Sequence, residues 1–162
     1  MRQTRLGRAC WVIALGTTVW SEDPVSAFRA ASWTPVATFA EFPEHITEAL
    51  AARFGPDDPI AERGGEFEPT DVVSGAPSKR FVIGGQEDEL WFVALEQGGY
   101  VHQLVLVVVR DGPDGASVTL VARGTAGHHG RASDGWSVTV DELRTALADG
   151  TLRVEDVSEE RD

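Results

Sequence analysis

The alternation of apolar and polar positions changes period twice along this chain. Between Pro43 and Phe54 the apolar residues Ile46, Ala49, Leu50 and Phe54 recur at helical spacing, and Gly55-Pro56 ends the run. Pro43 suits a helix start, because the N–H it lacks would have no partner in a first turn. The period then falls to two, and segments 67–73, 79–84, 89–97, 100–110, 116–123 and a short 136–140 read as strands. Helical spacing returns after Thr139-Val140-Asp141-Glu142, which fits a capping box. Leu143, Ala146 and Leu147 form its apolar stripe, and Gly150 closes it. Residues 28–42 are apolar without a period, and 56–66 (PDDPIAERGGE) reads as a surface loop. The expected fold is α+β: an antiparallel β-meander of about five strands with an N-terminal and a C-terminal helix packed on one face.

Turn residues set the expected register. Gly98-Gly99 can take positive φ at both positions and predicts a two-residue hairpin. That register sets Phe92 opposite Val105, Val93 opposite Leu104 and Leu95 opposite His102. The next reversal, DGPDG at 111–115, pairs Arg110 with Ala116, Val108 with Val118 and Leu106 with Leu120. Trp91, Val93, Leu95, Leu104, Leu106, Val108, Val118 and Leu120 then share one side, the expected core side. The other side carries Leu90, Phe92, Val105, Val107, Val109 and Val121 among Glu96, Gln103, Ser117 and Thr119. A meander covered by helices on one face normally leaves the other polar. This valine-rich face therefore calls for a cover. The cover is the lead-in 28–42 with Trp33, Phe39 and Phe42, a second copy in a homodimer, or a protein partner. Phe92, Glu96, Gln103, Val105 and Val107 are its candidate binding residues.

Charge placement at the start of the chain adds a compartment. Arg2, Arg5 and Arg8 precede a run, Ala9 to Trp20, that holds no charge. A spanning helix needs roughly 20 apolar residues, so the run is too short to cross a bilayer. A basic start, a short apolar run and the small residues Val25-Ser26-Ala27, with Pro24 breaking any helix just before them, are the layout of a secretory signal. The expected organisation is a signal segment 1–27, a single domain 28–155 and an acidic tail 156–162, in a periplasmic or secreted protein. Cys10, the only cysteine, lies before the apolar run rather than at the cut, which argues against lipid attachment. It leaves with the signal, so the mature domain holds no disulfide. Three arginines and two acids leave with it too, and net charge moves from −12 to −13. Such a chain is repelled by phosphate backbones and anionic lipid, which excludes nucleic acid and membrane insertion after signal removal as expected partners. The 13 arginines against one lysine, Lys79, suit a GC-rich bacterial genome.

Candidate chemistry is sparse. His128 and His129 lie in the polar loop 124–135 and are weak candidates for metal ligands, with Asp134 as a third. No second ligand pair stands at a matching spacing, and adjacent histidines point apart, so no metal or other cofactor is expected. No G-x-S-x-G elbow is present, and Gly84-Gly85 and Gly98-Gly99 lack the strand-to-helix setting of a phosphate loop and read as turns. His102 reads as a rim histidine and His45 as exposed. Glu96 stands out as an acid inside a strand. Two functions follow: an exported, non-catalytic interaction or ligand-binding module, or a small hydrolase or metal-dependent enzyme using Glu96, His102 or the His128-His129 loop.

Overall fold

The computed structural model describes residues 23–70, 75–124 and 137–157. Its elements are, in chain order, α1 (Pro24–Ala30), β1 (Thr34–Val36), a 3-10 turn (Phe39–Glu41), α2 (Glu44–Phe54), β2 (Ile60–Ala61), β3 (Lys79–Glu87), β4 (Leu90–Gln97), β5 (Gln103–Gly112), β6 (Gly115–Gly124), α3 (Val140–Asp149) and β7 (Arg153–Glu155). The sheet runs β1-β3-β4-β5-β6-β7 with antiparallel neighbours, and the two residues of β2 add parallel to β3. This is the expected α+β meander. Residues 67–70 are irregular rather than strand, and 137–139 form the approach to α3. The rest of those two expected strands, 71–73 and 136, lies outside the described residues.

Local chemistry explains the helices. α3 has the capping box: Thr139 Oγ1 accepts from the Glu142 amide at 3.2 Å, and Glu142 Oε2 accepts from the Thr139 amide at 2.7 Å. Gly150 ends it at φ 77°, a left-handed position that glycine takes without strain. α2 starts after Pro43 and ends at Gly55, close to the sequence reading. α1 is an addition. Pro24 is not a breaker there but opens the helix, and the Asp23 side chain accepts from the Ser26 amide at 3.0 Å. The Ala27–Phe28 bond, the expected signal cut, lies inside this helix, and Phe28 is fully buried.

The sheet is apolar on both sides, and the chain covers both itself. One face carries Phe92, Ala94, Leu104, Leu106, Val108, Leu120 and Ala122, packed against Phe28 of α1 and Leu143 of α3. The other carries Trp91, Val93, Leu95, Val105, Val107, Val109 and Val121, packed against Phe42 and against Ile46 and Leu50 of α2. An N-terminal and a C-terminal helix do share one face, but the N-terminal member is α1. The helix 44–54 lies on the opposite side.

Two features move the register. The β4–β5 connection spans 98–102 rather than two residues, and Gln97 pairs with Gln103, Leu95 with Val105 and Phe92 with Val108. The Gly98 amide is committed to the Ser78 carbonyl at 2.9 Å, so the chain does not turn at Gly98. The resulting slip is three residues. An odd slip exchanges faces, which places Trp91, Val93 and Leu95 with the valines and not with Leu104, Leu106 and Val108. In β6 the register breaks at Thr119: Val118 pairs with Val109 but Leu120 with Val108. This bulge sends Val118 and Leu120 to opposite faces. Gly84 and Gly85, read as a turn, sit within β3 opposite Val93 and Phe92. A Cβ on Gly84 would stand 2.5 Å from the Phe42 ring, and one on Gly85 would stand 2.5 Å from the Phe92 ring. Glycine is needed there because aromatic rings cross the strand on both sides.

Candidate functional site

Polar side chains concentrate where β3 begins, β4 ends and β5 begins. Glu96, the penultimate residue of β4, pairs across the sheet with Arg80 and is only 2% exposed. Arg80 donates to Glu96 Oε2 from Nε at 3.0 Å and from a terminal nitrogen at 2.6 Å. The other oxygen, Oε1, stands 2.7 Å from His102 Nε2. A buried carboxylate is costly unless its charge is matched and its lone pairs are filled, and a guanidinium fork does both. The Phe67 ring lies over the Arg80 guanidinium, 4.2 Å from its centroid, and neighbours the His102 ring at 6.0 Å. This aromatic cover excludes water from the pair and adds a cation–π contact.

On the opposite face of the same sheet end is a second cluster. Lys79, 3% exposed, pairs with Asp58, and its ammonium lies 5.2 Å from the Phe54 ring centroid. The Ser78 hydroxyl donates to the same carboxylate, and the Ser78 amide donates to its other oxygen at 2.9 Å. Partial burial pushes the Asp58 carboxyl up, but hydrogen bonds from Lys79 and Ser78 outweigh it and hold the carboxyl below its ordinary value. A serine beside a lysine suggests an activated nucleophile, but here the hydroxyl donates to the Asp58 carboxylate, a weak base, and the lysine amine bonds that same carboxylate. Arg123 joins this cluster through Gln97 and through Glu155 Oε1 at 2.7 Å, and Arg53 reaches Glu155 at 3.4 Å. These pairs clamp α2 and β7 to the sheet end.

The structure places the expected binding residues differently from the sequence reading. Phe92, Val105 and Val107 are fully buried beneath the chain's own elements, so the valine-rich face is closed rather than open. Its lead-in cover is Phe39 and Phe42 on the valine side, joined by α2, and Trp33 on the Phe92 side. Glu96 shares the Phe92 side, as expected, but Gln103 does not. The three-residue slip puts Gln103 opposite Gln97 on the other side. His102 is at the rim, with 35% of its side chain exposed. His45 is exposed and pairs with Asp111 at 2.9 Å, at the far end of the sheet. His128, His129 and Asp134 lie outside the described residues. Among the described residues no group of three or more His, Cys, Asp or Glu is placed to hold a metal, and no helix is long and apolar enough to cross a membrane.

The remaining feature of this sheet end is its loop. Tyr100 is 94% exposed and Val101 50%, next to His102. Grooves lie elsewhere, between α1 and α3 around Trp33 and Arg144, and between α1 and the β3–β4 turn. Neither borders Glu96. Sequence reasoning missed Arg80, Phe67, Lys79 and Asp58. One signal was available for Arg80: a hairpin turning at Asp88-Glu89 sets the start of β3 opposite the end of β4, where an opposite charge for Glu96 is favoured. The chain matches no protein-family model, no curated protein and no solved structure.

Proposed function

We propose that this chain is an exported, non-catalytic interaction module that engages a protein partner through the β4–β5 loop, with Tyr100 and Val101 as its contact residues. The observation that carries this reading is the exposure of those two side chains, 94% and 50%, on a loop held at its base. Tyrosine supplies large contact area at low conformational cost and is enriched where interfaces are strongest. The loop follows Glu96, whose carboxylate bonds Arg80 and meets His102 at the loop's far end. With both carboxylate oxygens engaged, Glu96 supports a positioning role rather than that of a free base. Net charge of −12 favours a protein partner over nucleic acid. Export rests on Arg2, Arg5 and Arg8 ahead of the uncharged run.

The test is a photo-reactive residue in place of Tyr100, expressed in the native host. A discrete protein adduct should form from position 100 and drop at least tenfold when Val101→Ser is added, with thermal stability unchanged. Val154, also exposed at 52%, is the control position. Equal adducts from 100 and 154 overturn the reading.

The Glu96–His102 contact favours one second reading, a hydrolase in which the carboxylate orients His102 as general base. Hydrolysis of a panel of ester and amide substrates by the purified chain, lost in His102→Ala, would support it over the first.

A further inference from the structure

The surface around the end of α1 is divided by charge, and we infer that it joins two copies of this chain in a two-fold dimer. Ala30 and Ala31, where α1 ends, form a ridge with a groove on each side. The groove between α1 and α3 carries the charges of Arg29, Arg144 and Asp141. Arg144 donates to Asp141 at 2.9 Å, so those two charges offset each other and Arg29 is left over. On the other side a groove of about 440 Å³ lies between α1 and the β3–β4 turn. Ala27, Ala31 and Leu90 give it an apolar floor, and Glu87, Asp88 and Glu89 line it with one cation, Arg110. Three acids against one arginine leave two negative charges in excess. Among the described residues, neither Arg29 nor any of the three acids has an ion-pair partner.

This division is self-complementary. In a two-fold dimer the axis lies within the interface, and what stands on one side of it faces the opposite side of the other copy. An axis running along the Ala30–Ala31 ridge therefore sets Arg29 of each copy over the acidic groove of the other. Arginine suits that groove: its methylenes lie on the alanine and leucine floor while its guanidinium meets the carboxylates. The contact forms twice. Ala30 is exposed and small, so the two ridges approach closely. A net charge of −12 repels copies that meet in other orientations, which leaves the interlocked one favoured. The β3–β4 turn and the β4–β5 loop lie at opposite ends of β4, so the dimer keeps Tyr100 and Val101 of both copies accessible. It then offers a protein partner two loops at once, although the dimer itself does not depend on the loop reading.

Sedimentation of the chain as recovered from its native host tests the dimer, at concentrations from about 1 μM to 1 mM. The wild type should show a monomer–dimer equilibrium within that range. Arg29→Glu sets acid against acid, and Glu87→Arg with Glu89→Arg sets arginine against arginine. Each of these two variants should associate at least tenfold more weakly, with its melting temperature unchanged. Mixed in equal amounts, they restore both contacts and should pair at least tenfold more tightly than either does alone. Ala30→Cys, combined with Cys10→Ser, reads the axis: it should oxidise to a dimer at least tenfold faster than Val154→Cys in the same background. A wild type that stays monomeric throughout, variants that dimerise as the wild type does, or a mixture no tighter than its components would overturn the dimer. Equal oxidation from positions 30 and 154 would overturn it as well. The Tyr100 adduct reads the loop and not this surface, so the two failures are distinct.

Discussion

The middle of the sheet and its loop end are held by opposite chemistry. In the middle, strands β4, β5 and β6 bury valine, leucine and phenylalanine on both faces, and the covering helices add more of the same. At the loop end the buried or half-buried side chains include three ion pairs, Arg80 with Glu96, Lys79 with Asp58 and Arg123 with Glu155, with the Phe67 ring over Arg80 and the Phe54 ring near both Lys79 and Arg123. Apolar burial is non-directional and suits regular strands whose neighbours repeat. Charge pairs are directional, and here they hold segments without ladder partners: the chain around Asp58, residues 65–67 against Arg80, and His102 at the end of the loop 98–102. The difference teaches that the same strands serve two purposes, cohesion along most of their length and placement of irregular chain at one end.

The contrast breaks most sharply in the middle. Val107→Asp places an unpaired carboxylate where both faces are closed, and should cost about 4 kcal/mol or more, enough to unfold a marginal domain. Loss of the cooperative thermal transition checks it; a folded variant with lost self-association would instead mean an open valine face. At the loop end, Arg80→Ala strands the Glu96 charge and should cost about 3 kcal/mol in denaturant unfolding. Arg80→Met with Glu96→Leu should recover most of that loss, which the middle of the sheet could not do for Val107→Asp.

Shortening the chain to begin at Phe28 removes the Asp23 cap, Val25 and buried Ala27. It should cost about 2 kcal/mol relative to a chain beginning at Asp23. N-terminal sequencing of the protein recovered from its native host shows which of these forms exists.

Acid sharpens the comparison further. The Asp58 carboxyl is held below its ordinary value in the folded state, so its stabilisation is fully present above about pH 4 and is lost as pH falls through the folded value. Asp58→Asn should be less stable near pH 7 and show a shallower fall in melting temperature from about pH 4 to 2. The smallest effect belongs to the exposed tip: Tyr100→Ser with Val101→Ser should shift stability by under about 0.5 kcal/mol.

The same contrast explains what was legible in the sequence. α2, α3 with its capping box and the four long strands were readable because each depends on neighbours a few residues away. The β4–β5 register was not. Where one face is polar, a one-residue slip exposes apolar side chains and is penalised, but Phe92 and Val93 are both buried, so the alternation tolerates either pairing. What decides it is the Gly98 amide on Ser78, the residue that leads into a third strand, β3. Gly84-Gly85 looked like a turn because nothing local announces the Phe42 and Phe92 rings that cross it. α1 was hidden by reading Pro24 as an end rather than a beginning. Glu96 was legible as unusual, but its partners Arg80 and Phe67 come from 16 and 29 residues away, and that distance kept the site's character out of reach.

Lys79 carries a consequence for the chain's covalent chemistry. It is the only lysine in the sequence, and folding places its amine on Asp58 beneath Phe54. The folded domain thus presents no ε-amine to acylating reagents, methylating or acetylating enzymes, or machinery that joins proteins by isopeptide bonds. A lysine-specific label attaches at a single position and only when the sheet end opens, so its rate of attachment is a one-site clock for that event.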